Sequence, residues 1–199
     1  NRDLTWEKMV EWNAGLELGL WDNRISATLD FYARNSYDLI DLVATSGVGG
    51  QYYKYANFGD MRTQGVELGL HTVNVKTSDF KWSTSFTFSA MHQEVTRLLN
   101  APTAFDMVAG RGRGNIVGFP RGSLFSFNYD GLDINGLPTF HFGRYPTNSG
   151  EYSHIAGADF SDTQYNKTYL RYHGPIEPQI TGGLSNTLSW KQWELSVFF

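Results

Sequence analysis

The sequence contains no cysteine, which removes disulfide frameworks, thiolate metal sites and cysteine nucleophiles. It also lacks any run approaching 18 continuous apolar residues, so no transmembrane helix is expected. That absence leaves a membrane β-barrel open, because an alternating pattern averages out in any hydropathy window. Charge is sparse at 18% of residues, and the formal net charge is −4. No basic face offers counterion release, so a nucleic-acid partner is not expected. Histidine is scarce as well. His71, His92, His141, His154 and His173 show no HxxxH or HExxH spacing, so the usual zinc signature is missing. Ser123 follows a glycine but sits in no GxSxG elbow. The sequence therefore predicts no catalytic residue, no metal and no cofactor.

What the chain does have is aromatics and glycine: 6 Trp, 11 Tyr, 14 Phe and 21 Gly in 199 residues. That balance with modest charge favours an all-β protein. The pattern organising it is the hairpin from Trp6 to Arg34, turning at Trp21-Asp22-Asn23-Arg24. In its second arm Ile25, Ala27, Leu29, Phe31 and Ala33 fall on one face, and Ser26, Thr28, Asp30, Tyr32 and Arg34 on the other. Successive strand side chains point to opposite sides, so each arm is a ribbon with one apolar and one polar face. The arms exceed the roughly 5–6 residues of a globular strand and reach the about 9–11 needed to cross a bilayer at a tilt. Charge and glycine on the polar face suit a wet lumen better than a packed core.

Strands are expected at about 6–20, 25–40, 64–75, 80–95, 179–190 and 193–199, with loops at about 41–62 and 96–178. The stretch before Pro178 holds five of the six prolines, Pro178 itself being the sixth, and an irregular connection this long is rare in a compact soluble domain. Connections alternate short and long, as do the periplasmic turns and extracellular loops of transmembrane barrels. Aromatics collect at every short turn: Trp21, Phe80 with Trp82, and Trp190 with Trp193. Rings gathered at one level suit an interfacial girdle. The fold expected is an antiparallel transmembrane β-barrel segment with long extracellular loops. Apolar alternation still running at Phe199 suggests a fragment of something longer.

Several segments resemble one family. Asn1-Arg2-Asp3-Leu4-Thr5-Trp6-Glu7-Lys8 resembles the opening of a late barrel strand in SusC/RagA-type TonB-dependent transporters. Asn57-Phe58-Gly59-Asp60-Met61-Arg62-Thr63-Gln64-Gly65-Val66-Glu67-Leu68, Gly118–Phe125 with Tyr129–Leu132, Pro178–Leu184 and Trp193–Phe199 are similar to later segments of that family, in order along the chain. The sequence departs from it in two places. Arg2 replaces the usual proline, and Asp133-Ile134-Asn135-Gly136 is followed by Leu137-Pro138, without the acidic series a calcium loop would need.

The resemblance implies part of the C-terminal half of a large plugged barrel in a Bacteroidetes-type Gram-negative outer membrane. Such transporters import oligosaccharides or peptides, pair with a SusD-like surface lipoprotein and draw energy from TonB. The plug domain and the TonB-contacting segment would lie N-terminal to these residues. Six strands cannot close a barrel of roughly 22 strands, so this segment alone transports nothing.

Within that frame the ligand candidates are Tyr52, Tyr53 and Tyr55, since tyrosine stacks on sugar rings and hydrogen-bonds through its hydroxyl. Packing against a neighbouring loop or the lipoprotein is the plainer account. Arg111 and Arg113, in an RGRG run, could contact anionic substrate or lipopolysaccharide phosphate, or simply be solvated. Glu7, Glu11, Glu17, Asp30, Arg34 and Glu67 are expected on the lumen-facing wall, facing water or the plug. The acid pairs Asp130 with Asp133 and Asp159 with Asp162 are ordinary surface acids rather than a glycosidase pair. Two other classes fit less well: a soluble secreted β-sandwich that binds glycans, and a surface adhesin without transport.

Overall fold

The computed structural model describes residues 4–45, 50, 53–108, 115–141, 152–153 and 170–199. Ten strands and one short helix follow in chain order: β1 (Lys8–Leu20), β2 (Ile25–Ala44), β3 (Tyr53–Lys76), β4 (Phe80–Leu98), α1 (Ala104–Val108), β5 (Ser123–Leu132), β6 (Pro138–His141), β7 (Tyr152–Ser153), β8 (Leu170–Pro175), β9 (Ile180–Trp190) and β10 (Trp193–Phe198). One sheet has the order β1-β2-β3-β4-β9-β10, and a second has β7-β6-β5-β8. The first sheet is an open wall sector: β1 and β10 stand at its two ends. Among the described residues no helix is long and apolar enough to cross a membrane, which says nothing of strands.

Two compact units divide the chain. One comprises Met9–Ser36, Arg62–His92 and Pro178–Phe199; the other comprises Asn1–Lys8, Tyr37–Met61 and Gln93–Glu177. The first is the regular part of the large sheet. β9 pairs with β4 from Ile180↔Ala90 to Trp190↔Phe80 and with β10 from Trp190↔Trp193 to Ser185↔Phe198. Phe80, Trp190 and Trp193 therefore stand in one row at the short-turn end, which is how the aromatics of separate turns come to share a level.

In the second unit the strands run on beyond the expected limits. β2 continues to Ala44 and β3 begins at Tyr53, so most of the loop expected at 41–62 is strand. Asp38, with a φ of 55°, is a left-handed residue inside β2. The period-2 pattern loosens around it at Ser36-Tyr37-Asp38 while the strand goes on to Ala44. Tyr53 and Tyr55 consequently belong to β3 and not to a loop.

The stretch expected to be a loop at 96–178 holds the end of β4, α1 and the second sheet. Phe119, Phe125 and Tyr172 meet there with ring centroids 5.0–5.5 Å apart, and Phe127 lies 5.8 Å from Phe140. Tyr172 comes from β8, about 50 residues from its ring partners, and the cluster has no local periodicity. Asp133 Oδ1 accepts the backbone N–H groups of Asn135 and Leu137 at 2.8 Å each and so closes the β5–β6 turn. Thr103 and Asp106 cap α1 reciprocally: the Thr103 N–H donates to Asp106 Oδ2 at 3.0 Å, and the Asp106 N–H to Thr103 Oγ1 at 3.2 Å.

Burial separates the two units. The buried apolar residues Phe58, Val95, Ala104, Met107 and Ile116 all fall in the second. The first contributes none of them, and many of its large apolar side chains, Trp12, Leu16, Phe31 and Leu195 among them, are exposed.

Candidate functional site

The polar face of the regular sheet is built from glycine and charge in register. Gly15 stands beside the Asp30 carboxylate, Gly69 beside the Thr28 hydroxyl and Gly65 beneath the Tyr32 ring, each leaving no room for a Cβ. Thr28, Asp30 and Tyr32 thereby share one face of β2, and Glu67 lies on that same face of β3. Thr28, Asp30, Glu67, Thr87, Ser89 and Thr181 line a shallow polar depression across β2, β3, β4 and β9. Nearer the start of β1, Arg34 Nε donates to Glu11 Oε2 at 2.6 Å and Asn13 Nδ2 to Glu11 Oε1 at 2.9 Å, so both carboxylate oxygens are engaged.

The second unit holds a separate ion-pair cluster. Arg97 Nε donates to Asp60 Oδ2 at 2.6 Å and its Nη2 to Asp60 Oδ1 at 2.9 Å, a bidentate fork. The same guanidinium reaches Asp38 Oδ1 at 3.4 Å, and Lys8 Nζ reaches Asp38 Oδ2 at 3.1 Å. The Asp38 backbone N–H donates to Asp60 Oδ1 at 3.0 Å, and Asn57 Nδ2 donates to the Thr5 carbonyl at 2.9 Å. Glu7 precedes β1 and accepts the Ile40 N–H at 2.7 Å. Arg121 pairs with Asp41 at 3.3 Å.

The hydrogen bond from Arg97 holds the Asp60 carboxyl below the usual aspartate range, with burial opposing and the Asp38 N–H assisting. A depressed carboxylate adds stability that is complete above its unfolded pKa and is lost as pH falls through the folded one. Thermal melting of the intact protein should therefore fall as pH drops below about 4. Asp60→Asn should be less stable than wild type at neutral pH and show a flatter acid limb. Parallel acid limbs in the two proteins would disconnect this pair from acid sensitivity.

Of the residues singled out in the sequence, the structure brings Glu11 to Arg34 and gathers Asp30 with Glu67. Glu17 is exposed on β1, and Glu7 is tied to backbone in the other unit. Tyr55 is 61% exposed on β3. Tyr52, Arg111, Arg113, His154, Asp159 and Asp162 lie outside the described residues. Sequence reasoning passed over Tyr32, Asp38, Asp60 and Arg97 as site residues. Asp60 lies inside the segment Asn57–Leu68 already singled out by its resemblance, but nothing local pairs it with a residue 37 positions away.

The chain is similar to known proteins in both sequence and fold. The family model of TonB-dependent receptor-like β-barrels matches residues 1–198. TonB-dependent receptor P3 of Formosa agariphila is 27% identical over 219 residues of alignment, covering 100% of this chain and 20% of that protein. TonB-dependent receptor SusC of Bacteroides thetaiotaomicron is 33% identical over 99 residues, covering 49% of this chain and 10% of SusC. The structure of the RagAB peptide transporter matches with a TM-score of 0.74 at 29% identity, over 100% of this chain and 21% of that one. The chain thus spans about a fifth of the length of P3 and of the matched RagAB chain. With the family model matching residues 1–198, it belongs to the TonB-dependent receptor β-barrel family.

Proposed function

We propose that the chain forms part of the wall of a TonB-dependent importer in a Gram-negative outer membrane. The observation that carries this is the exposed apolar face: Trp12 is 75%, Trp193 77% and Leu195 60% exposed, on a sheet whose other face is polar. An exposed apolar surface of this kind marks an interaction site, and its flanking row of aromatics supports lipid as the partner. A soluble sandwich would pack these faces together.

In the whole protein the polar face looks into the lumen, with Glu11, Glu17, Asp30, Arg34 and Glu67 lining the wall. The short turns face the periplasm. The cargo is an oligosaccharide or peptide, received with a SusD-like lipoprotein, and TonB acts through parts of the protein outside these residues. The role is binding and gated passage rather than bond chemistry. Tyr52, Tyr53 and Tyr55 contact cargo at the outer side; Arg111 and Arg113 offer cations there. The relatedness to SusC and to a peptide transporter supports this reading.

The full-length protein should leave membranes only with detergent and migrate, unboiled, as a compact heat-modifiable species. Replacing Tyr52, Tyr53 and Tyr55 with Ala should preserve that behaviour and reduce cargo uptake. A protein soluble without detergent would refute the membrane reading; unchanged uptake would return the tyrosines to a packing role.

A further inference from the structure

Near its short turns the apolar face of the regular sheet carries a cluster of polar side chains. Thr72 and Asn74 of β3, Thr84 of β4 and Asn186 of β9 lie on the face that carries Leu70, Phe86 and Leu184. Their opposite faces are fixed by His71 Nδ1 meeting Ser85 Oγ at 2.9 Å and Thr187 Oγ1 meeting Ser196 Oγ at 3.2 Å. The four residues form one directed chain. Thr72 Oγ1 donates to Asn74 Oδ1 at 2.8 Å, Asn74 Nδ2 to Thr84 Oγ1 at 2.7 Å, and Thr84 Oγ1 to Asn186 Oδ1 at 2.7 Å. Trp82 Nε1 adds a second donor to Asn186 Oδ1 at 3.0 Å.

With its oxygen doubly occupied, Asn186 has its Nδ2 hydrogens left to donate. Among the described residues they donate to nothing, and the next strand offers only Val197 at that register. An amide donor held at an apolar surface requires an acceptor. Lys76 lies two positions below Asn74 on the same face, exposed and without an ion pair among the described residues. Lys191 Nζ sits 5.5 Å from the Trp190 ring centre at the adjacent turn.

Depth completes the picture. Thr84 is paired with Asn186, four positions above the Phe80–Trp190 pair. At about 3.3 Å per residue and a tilt of roughly 45°, that is about 9 Å further into the bilayer. From the headgroup level of the aromatic row, across an interfacial layer of roughly 5–8 Å, this lies just inside the hydrocarbon, within side-chain reach of the glycerol ester carbonyls.

We propose that this patch seats one glycerophospholipid of the periplasmic leaflet. Its phosphate pairs with Lys76, an ester carbonyl accepts from Asn186 Nδ2, and its acyl chains run along Leu70, Phe86 and Leu184. The site rests on the membrane reading above and adds to it a defined headgroup position and leaflet.

The test is native mass spectrometry of the full-length protein during stepwise delipidation, with phosphatidylglycerol as the added probe. Wild type should hold one phosphatidylglycerol that Asn186→Leu and Lys76→Gln each bind about tenfold more weakly, the scale of one lost charge-assisted or buried hydrogen bond. Lys76→Gln changes only an exposed strand end, so its folding is not in question, and heat-modifiable migration checks Asn186→Leu. Equal retention in wild type and both variants would overturn the site. So would a dimer that dissociates in Asn186→Leu while lipid retention is unchanged, because the amide would then face a second copy of the chain. Wild type that needs no detergent would instead refute the membrane reading itself, a result separable from either.

Discussion

Leu29→Arg should destabilise the intact protein by about 2–4 kcal/mol, the cost of a guanidinium at the bilayer midplane on a barrel's lipid face. Its neighbours fix its direction. Thr28 sits over Gly69 and Asp30 beside Gly15, so both point to the polar face and Leu29, between them, points away. It is also the central member of the series Ile25, Ala27, Leu29, Phe31 and Ala33, equally far from either edge of the apolar band. Thr28→Arg is the matched control. It would extend over Gly69 toward Asp30 and Glu67, which line the same depression, and should cost far less. The readout is the temperature at which the heat-modifiable form is lost. Equal shifts in the two variants would reverse the face assignment on which the lumen and lipid sides both depend.

Gly59→Ala is expected to be the most disruptive of the small substitutions. Gly59 is buried, and a Cβ there would overlap the backbone carbonyl oxygen of Arg97. Backbone held in a strand pair cannot swing aside, so β3 and β4 must separate locally. The Leu99 N–H to Phe58 carbonyl bond, 2.6 Å, lies immediately beside this point, and so does the Arg97–Asp60 fork. Overpacking of this kind costs about 1–3 kcal/mol, and loss of the fork should add to it. Gly65→Ala provides the contrast. Its Cβ would meet the far end of the Tyr32 ring, which can rotate away, so the effect should be smaller. A Gly65 variant as damaged as the Gly59 variant would show that the Tyr32 ring is locked in place and that β2–β3 packing is tighter than the pair itself requires.

Much of the regular sheet is legible in the sequence because a strand's two faces are written at every second residue. The alternations of 25–34, 64–70, 80–90 and 180–190 needed no knowledge of the partner strand. Asp38 shows where that logic fails. A left-handed residue sits where the alternation loosens, and the last residues of β2, up to Ala44, no longer read as strand. Thr84 and Asn186 show a second failure. Each looks like an isolated polar lapse in an apolar series, and only the β4–β9 register places them opposite each other.

By itself, then, the sequence determined the class of the protein, its hairpins, the polar and apolar faces of its wall, and the level of its aromatics, all properties set within a few residues of chain. Only the tertiary structure decided which charges meet and which polar groups cluster on the apolar face. The Arg97–Asp60 fork joins residues 37 apart and the Thr84–Asn186 bond residues 102 apart. Such pairings depend on strand register and order, which are fixed by the whole sheet and written in no single strand.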